Sequence, residues 1–350
     1  MNQPPERTPT GRGTPLSPPS RFQRQHTEHD PGEVLASSPK TQFYTDSSKS
    51  ILSPFDSPDL PAGRSVNPYQ GCEHGCIYCY ARNTHAFDGF SAGLDFEHQI
   101  LVKPTAPELL ARRFRQKGYR PSPIELSGNT DCYQPAERQF RLTRRLLQVF
   151  RQHGHPVGII TKNSLILRDL DLLRDLAAQQ LVHVYITLTT LNESLRRVLE
   201  PRTPPAQRRL ETVMQLTDAG IPVGVMTAPI IPGLTDHEIP KLVGEAARHG
   251  ARTVGYTVVQ LNGAVGTLFE EWVRRYFPDR AEKVLGQIRS CHGGEPGDSR
   301  GRTHLYGEGP VAEHIRQVHQ LARRKYLAGR TMPPFDLTRF QREPEQLGLF

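Results

Sequence analysis

A chain of 350 residues with 36% hydrophobic content and 31 prolines can bury a substantial core, but not along its whole length. No stretch approaches the roughly 18 consecutive apolar residues that would span a bilayer, and the polar N-terminus lacks the apolar centre of a secretory signal. The expectation is a soluble cytoplasmic protein with no membrane partner, whose net charge of +8 permits a polyanionic partner without demonstrating one.

In chain order, residues 1–60 read as a disordered Pro-rich tail and linker. Segments such as Leu16-Ser17-Pro18-Pro19-Ser20 show no apolar periodicity. A short apolar piece, Ile51-Leu52-Ser53-Pro54-Phe55, is placed to dock on the body. Residues 61–265 form the expected core, in which short apolar runs alternate with longer amphipathic ones. Strands are predicted at 65–70, 124–127, 157–161, 182–189, 222–229 and 253–260. Helices are predicted near 106–117, 137–153, 165–179, 205–219 and 237–249. Thr235-Asp236-His237-Glu238 offers capping side chains, and Gly118, Gly154, Gly220 and Gly250 follow helices where left-handed caps are needed. Six β–α units in series give an α/β fold, a parallel sheet closing into a barrel or partial barrel. Chemistry then gathers at the C-terminal strand ends. Residues 266–350 read as a C-terminal helical extension, with an amphipathic helix near 310–328.

Between Thr105 and His155 stand ten Arg or Lys against four Asp or Glu, a net of +6. This is either a pair of solvated basic faces or a nucleic-acid contact.

Three of the five cysteines fall within eight residues, as Cys72-Glu73-His74-Gly75-Cys76-Ile77-Tyr78-Cys79. Clustering at that density suits metal ligation better than a disulfide framework. Thiolates spaced C-x3-C-x2-C can each take one corner of a [4Fe–4S] cubane, which leaves the fourth iron open. Zinc is the alternative, with His74 or His85 as fourth ligand. Zinc sites usually carry a second ligand pair, and none is evident.

This loop resembles the signature of the radical S-adenosylmethionine superfamily, with Tyr78 at its aromatic position. Gly128-Asn129-Thr130-Asp131-Cys132, Glu200-Pro201-Arg202 and Ala228-Pro229-Ile230-Ile231-Pro232-Gly233 are similar to motifs of its DNA-repair photolyase-like subgroup, related to spore photoproduct lyase. The resemblance covers roughly residues 64–265. It implies a partial (β/α)6 TIM-type barrel, a [4Fe–4S] cluster held by Cys72, Cys76 and Cys79, and S-adenosyl-L-methionine cleaved to a 5′-deoxyadenosyl radical. It also implies an electron donor of flavodoxin or ferredoxin type, and lyase-like or DNA-repair chemistry with nucleic acid as a candidate partner.

For individual residues, Thr130 is expected at the methionine amino group, or else as a helix N-cap. Lys162 is expected at the methionine carboxylate, or else as a surface lysine. Thr187 and Thr189 offer hydroxyls to the ribose, or serve strand packing. Arg202 either holds an anion or pairs with Glu200 or Asp236. Tyr80 occupies the place of a hydrogen-relaying tyrosine, or forms an aromatic lid. The lyase's hydrogen-donating cysteine corresponds to Gly128 here, and Cys132 is the alternative donor. Cys291 reads as a free buried thiol. Two other functions stay open: radical chemistry on a protein or small metabolite, and a zinc-stabilised binding module without catalysis.

Overall fold

The computed structural model describes residues 11–20, 39–57, 60–297 and 305–343. Among the described residues ten strands occur: β1 (Gln42–Thr45), β2 (Leu52–Ser57), β3 (Leu60–Val66), β4 (Tyr69–Gln70), β5 (Gln99–Val102), β6 (Ile124–Leu126), β7 (Val157–Thr161), β8 (Val182–Thr187), β9 (Val223–Ile230) and β10 (Thr253–Val258). Seven build one sheet in the order β10-β9-β8-β7-β6-β3-β2. The six from β3 to β10 in that sheet are parallel, and β2 closes its edge as the antiparallel arm of a hairpin with β3. This is the partial (β/α)6 barrel that the β–α alternation predicts. Among the described residues no helix is long and apolar enough to cross a membrane.

The sheet forms from Val/Ile/Thr-rich runs such as Val157-Gly158-Ile159-Ile160-Thr161, because branched side chains pack well on a pleated surface. Leu146, Leu147 and Phe150 of one helix, Leu172, Leu173 and Leu176 of the next, and Leu242, Val243 and Ala246 of a third close over it. Each large side chain contributes about 1.5–3 kcal/mol on burial.

Four expectations change. The helix expected over 137–153 breaks at Arg141, whose φ is 51°, into Glu137–Phe140 and Leu142–Gln152. The buried Glu137 carboxylate accepts Thr143 N–H at 3.0 Å and Arg144 N–H at 3.3 Å, so an interior side chain starts the second helix. The Thr235–Glu238 side chains do not cap the helix Ile239–Arg248. Thr235 instead accepts Ile231 N–H, Asp236 accepts Gly233 N–H, and Glu238 reaches back to Thr190 and Leu191. Gly154, Gly220 and Gly250 do take positive φ; Gly118 does not.

The third change concerns the tail. Of residues 1–60, 1–10, 21–38 and 58–59 lie outside the described residues. The rest pack on the body: β1 pairs with β5, β2 with β3, and residues 11–20 lie against the segment 91–97. Leu94 N–H donates to Leu16 O at 2.9 Å, and the Ser91 hydroxyl donates to Pro18 O at 2.7 Å. Fourth, the region after residue 265 is part of the body rather than an appendage. Val265, Phe269, Trp272 and Val284 share one apolar cluster with Cys76, Ile77 and Tyr78, and the Trp272 indole N–H donates to Val198 O at 2.9 Å.

Candidate active site

The cysteine loop follows β3 and β4, at the C-terminal end of the parallel sheet. Gly71 and Gly75 both take positive φ, 77° and 68°. A Cβ on Gly75 would stand 2.8 Å from Glu97 Oε2, so this turn needs glycine. Backbone bonds anchor the loop at both ends, Cys72 N–H to Phe96 O at 2.8 Å and Ile77 N–H to Leu199 O at 3.1 Å. Arg82, fully buried, donates to Cys76 O at 2.9 Å and pairs with fully buried Glu97 at 2.5 Å. Glu97 also receives Gly13 N–H at 2.8 Å, while its carbonyl takes Arg12 Nη1 at 2.5 Å. The N-terminal strap 11–20 is thereby tied to the back of the loop.

Cys72, Cys76 and Cys79 are free thiols, the first two buried and the third half-buried. They are close enough to influence one another's ionisation. Burial pushes the Cys72 thiol well up, with Asp131, Cys76 and Cys79 adding to it. Burial likewise pushes Cys76 up to about 12, against the pull of the Lys162 ammonium. Such thiols stay protonated until a metal displaces the proton. Among the described residues no three His, Cys, Asp or Glu side chains converge tightly enough for a single metal ion.

Two buried carboxylates organise the surroundings. Glu200 accepts Tyr78 Oη–H, Thr189 Oγ1–H at 2.8 Å and Arg209 Nη2–H at 2.5 Å. Burial alone would raise its pKa, but Arg209, then Lys162 and the Tyr78 hydroxyl, hold it down at about 2. Arg209 also donates to Thr187 O at 3.1 Å, so the motif Glu200-Pro201-Arg202 is fastened to β8. Asp131 accepts Thr161 Oγ1–H at 2.7 Å and Lys162 N–H at 2.8 Å, and stands 3.4 Å from His74 Nδ1. Burial opposes its charge, yet His74 and the donors Lys162 N–H and Thr161 Oγ1–H bring it to about 2. It joins the cysteine loop to the end of β7.

Lys162 is half-buried. Its ammonium lies 5.8 Å from the Tyr78 ring centre. Burial disfavours its charge, but Cys76 and Glu200 outweigh that and raise its pKa. Thr130 does not cap a helix, since the helix at Glu137 follows Ala136; its hydroxyl donates to Tyr69 O at 3.2 Å. Thr187 and Thr189 are buried beside this network, with the Thr189 hydroxyl committed to Glu200. Arg202 meets neither Glu200 nor Asp236 but stands 3.4 Å from Glu73 in the cysteine loop. Tyr80 is 61% exposed and donates to Gly128 O. Cys132 and Cys291 are both fully buried in the main core, apart from the clusters that hold the three loop cysteines.

The site also depends on residues the sequence did not single out. Glu200 and Asp131 stood within recognised motifs. Arg209 on a helix, Arg12 in the strap and Glu97 in the one-turn helix Asp95–His98 carried no spacing signal of their own.

The family model described as "Radical SAM superfamily" matches residues 66–246, just over half of the chain. The chain belongs to the radical SAM superfamily. A Mycobacterium tuberculosis protein is 36% identical over 222 residues, 63% of this chain and 65% of that protein. This chain therefore spans somewhat less than two thirds of the mycobacterial protein's length. A Methanocaldococcus jannaschii protein is 28% identical over 232 residues, covering 66% of this chain and 83% of that protein. Spore photoproduct lyase complexed with dinucleoside spore photoproduct superposes with a TM-score of 0.56 at 13% identity, covering 82% of this chain and 79% of that one. At that identity the likeness is one of fold.

Radical SAM proteins use a [4Fe–4S] cluster and S-adenosylmethionine. Cys72, Cys76 and Cys79 would hold the first as its three protein ligands. When bound, the pair supplies one-electron cleavage of a carbon–sulfur bond. The surrounding residues hold the loop, exclude water from Cys72 and Cys76, and keep Lys162 charged beside Cys76.

Proposed function

We propose that this chain is a radical SAM enzyme that abstracts hydrogen from a nucleic-acid or nucleotide-containing substrate. The observation that carries the radical half is the gathering of Cys72, Cys76, Cys79 and Lys162 at the C-terminal ends of the parallel strands. In this reading Lys162 meets the methionine carboxylate, Thr130 the amino group and Thr187 the ribose. Thr189 supports the last through its bond to Glu200. The substrate half is supported by the net +6 between Thr105 and His155 and by the motif resemblance to the photolyase-like subgroup. A base in a duplex would have to leave the stack to reach strand-end residues, at a cost of a few kcal/mol. Tyr80 is exposed beside Gly128, and Gly128 offers no thiol where the photoproduct lyase needs one. The reading is therefore hydrogen abstraction from nucleic acid, with Tyr80 rather than buried Cys132 nearest to substrate.

The test is anaerobic reconstitution with iron and sulfide, EPR after reduction, and chromatography of 5′-deoxyadenosine. A reducible [4Fe–4S] signal lost in Cys76→Ala, with deuterium passing from a labelled oligonucleotide into 5′-deoxyadenosine, is the expected result. Stoichiometric zinc with no reducible cluster would sink the enzyme reading. Label arriving only from a peptide or metabolite would sink the substrate.

A further inference from the structure

Several arginines on this protein's surface have a carboxylate partner. Arg145 pairs with Glu108 at 2.6 Å, Arg151 with Asp175 at 2.8 Å, Arg208 with Glu211 at 3.4 Å and Arg274 with Glu270 at 2.8 Å. Arg248 pairs with Glu245 in the same way. Within the basic stretch 105–155 this pairing answers much of the charge on the helix Leu142–Gln152.

Elsewhere, cations gather around a concavity with no carboxylate beside them. Between the edge hairpin β2–β3 and the helix Ala106–Phe114 lies an open recess of about 430 Å³ whose wall carries Lys49, Arg64, Arg112 and Arg113. Among the described residues its lining contains no carboxylate. Lys49, Arg112 and Arg113 are exposed, and among the described residues none of the four cations is in a salt bridge. Arg113 donates only to the neutral Gln116 amide. Arg113 and Arg64 both lean on the Tyr119 ring, 5.7 and 5.4 Å from its centre. Arg64 Nη1 is buried without an acceptor.

Four like charges around one concavity repel one another unless an anion enters, and an enclosed donor without a partner gains most from an arriving oxygen. Guanidinium groups match phosphate oxygens in geometry as well as in charge. Ile51 and Leu52 at the same recess give it an apolar wall, which suits the sugar–carbon flank of a phosphodiester chain. The recess also lies on the strand that leads into the site. Arg64 is on β3, which ends at Val66, and the chain continues through Asn67 and β4 to Gly71-Cys72.

We infer that this recess is a phosphodiester-binding site that holds the backbone of a nucleic-acid substrate while the substrate's reacting unit reaches the cysteine loop. The inference rests on the nucleic-acid reading given above and adds the surface that grips the substrate.

The test is fluorescence anisotropy of a labelled 20-nucleotide single strand over a salt series. It compares the wild-type chain, Arg112→Gln/Arg113→Gln, and the control Arg208→Gln/Arg248→Gln, which removes equal charge from ion-paired positions. All altered side chains are exposed, and thermal melts check that each variant is folded. Each lost phosphate contact lowers the slope of log K against log salt by about 0.7 on a single strand. The recess variant should therefore lose about 1.4 in slope and bind on the order of tenfold or more weakly at ~0.1 M salt, while the control keeps the wild-type slope. Wild-type binding with an unchanged slope in the recess variant overturns the recess and leaves the nucleic-acid reading standing. No binding by the wild type overturns both. Inorganic phosphate at matched ionic strength is the second arm. Protection against thermal unfolding by phosphate that is lost in the recess variant, without any slope change for DNA, marks a free-phosphate site and overturns the phosphodiester assignment.

Discussion

Glu200→Gln is the sharpest probe of how the site is held. The substitution keeps the shape and still accepts from Tyr78 and Thr189, but it places an amide where the Arg209 guanidinium expects a carboxylate oxygen at 2.5 Å. The magnitude can be worked in two ways. The native network holds the carboxyl at about 2 instead of 4.5, a preference for the charged form of about 3 kcal/mol at ~1.4 kcal/mol per tenfold. Breaking one partner of a buried pair costs about 3–5 kcal/mol, because the other charge is left uncompensated. Both point to a loss of about 3 kcal/mol in urea unfolding of the metal-free protein under anaerobic reducing conditions. The sign with pH follows. A depressed carboxyl contributes stability that is complete above 4.5 and is lost as pH falls towards 2, so this acid sensitivity should be absent from the variant. Removing the second charge as well, in Glu200→Gln/Arg209→Met, should recover part of the loss, giving a coupling of about 1–3 kcal/mol in the double-mutant cycle. A single-variant loss below about 1 kcal/mol, or strict additivity, would show that the charges do not hold this network together.

Three further outcomes are expected. Arg12→Ala removes two charge-assisted bonds from the strap. Loop opening should become easier by about 2 kcal/mol, read as roughly 30-fold faster reaction of Cys72, Cys76 and Cys79 with a thiol reagent in the metal-free protein. An unchanged rate would mean that the strap does not clamp the loop. Trp272→Ala should destabilise the whole fold by about 3–5 kcal/mol, with one cooperative transition, whereas a separable C-terminal extension would melt alone and leave the barrel intact. Burial holds the His155 and His319 imidazoles down at about 4 rather than 6.5. Lowered pKa values on bases mean that the unfolded chain takes up the protons first. Stability should thus fall as pH drops from about 6.5 to about 4, by up to about 3 kcal/mol per histidine. Unfolding curves of His155→Gln that show the same pH slope as the wild type would refute its share.

The barrel was legible because its strands and helices are written in local periodicity, and β7 appears at the residues predicted. β1, β2, β5 and the helices Ala264–Tyr276 and Ala281–Ser290 were not read. The three strands are short edge or auxiliary pieces: β1 and β5 depend on pairing partners far along the chain, and β2 is a hairpin arm whose proline-bearing run carries no strand periodicity. The two helices sit in the region taken for an extension. The break at Arg141 was hidden for a related reason, since it depends on a buried Glu137 that also serves Tyr69 and Arg168.

The cysteine triad was readable because three ligands to one cluster must sit close in sequence, and spacing is a local property. By itself the sequence determined the family chemistry: three thiols, an aromatic between them, and six β–α units to carry them. Only the tertiary structure decided what holds those thiols. Arg12, Arg82 and Glu97 clamp the loop from behind, Glu200 with Arg209 fixes it through Tyr78, and Asp131 ties it to β7. The physical reason is that a buried charge must find its counter-charge wherever the fold brings one, and sequence distance places no limit on that choice.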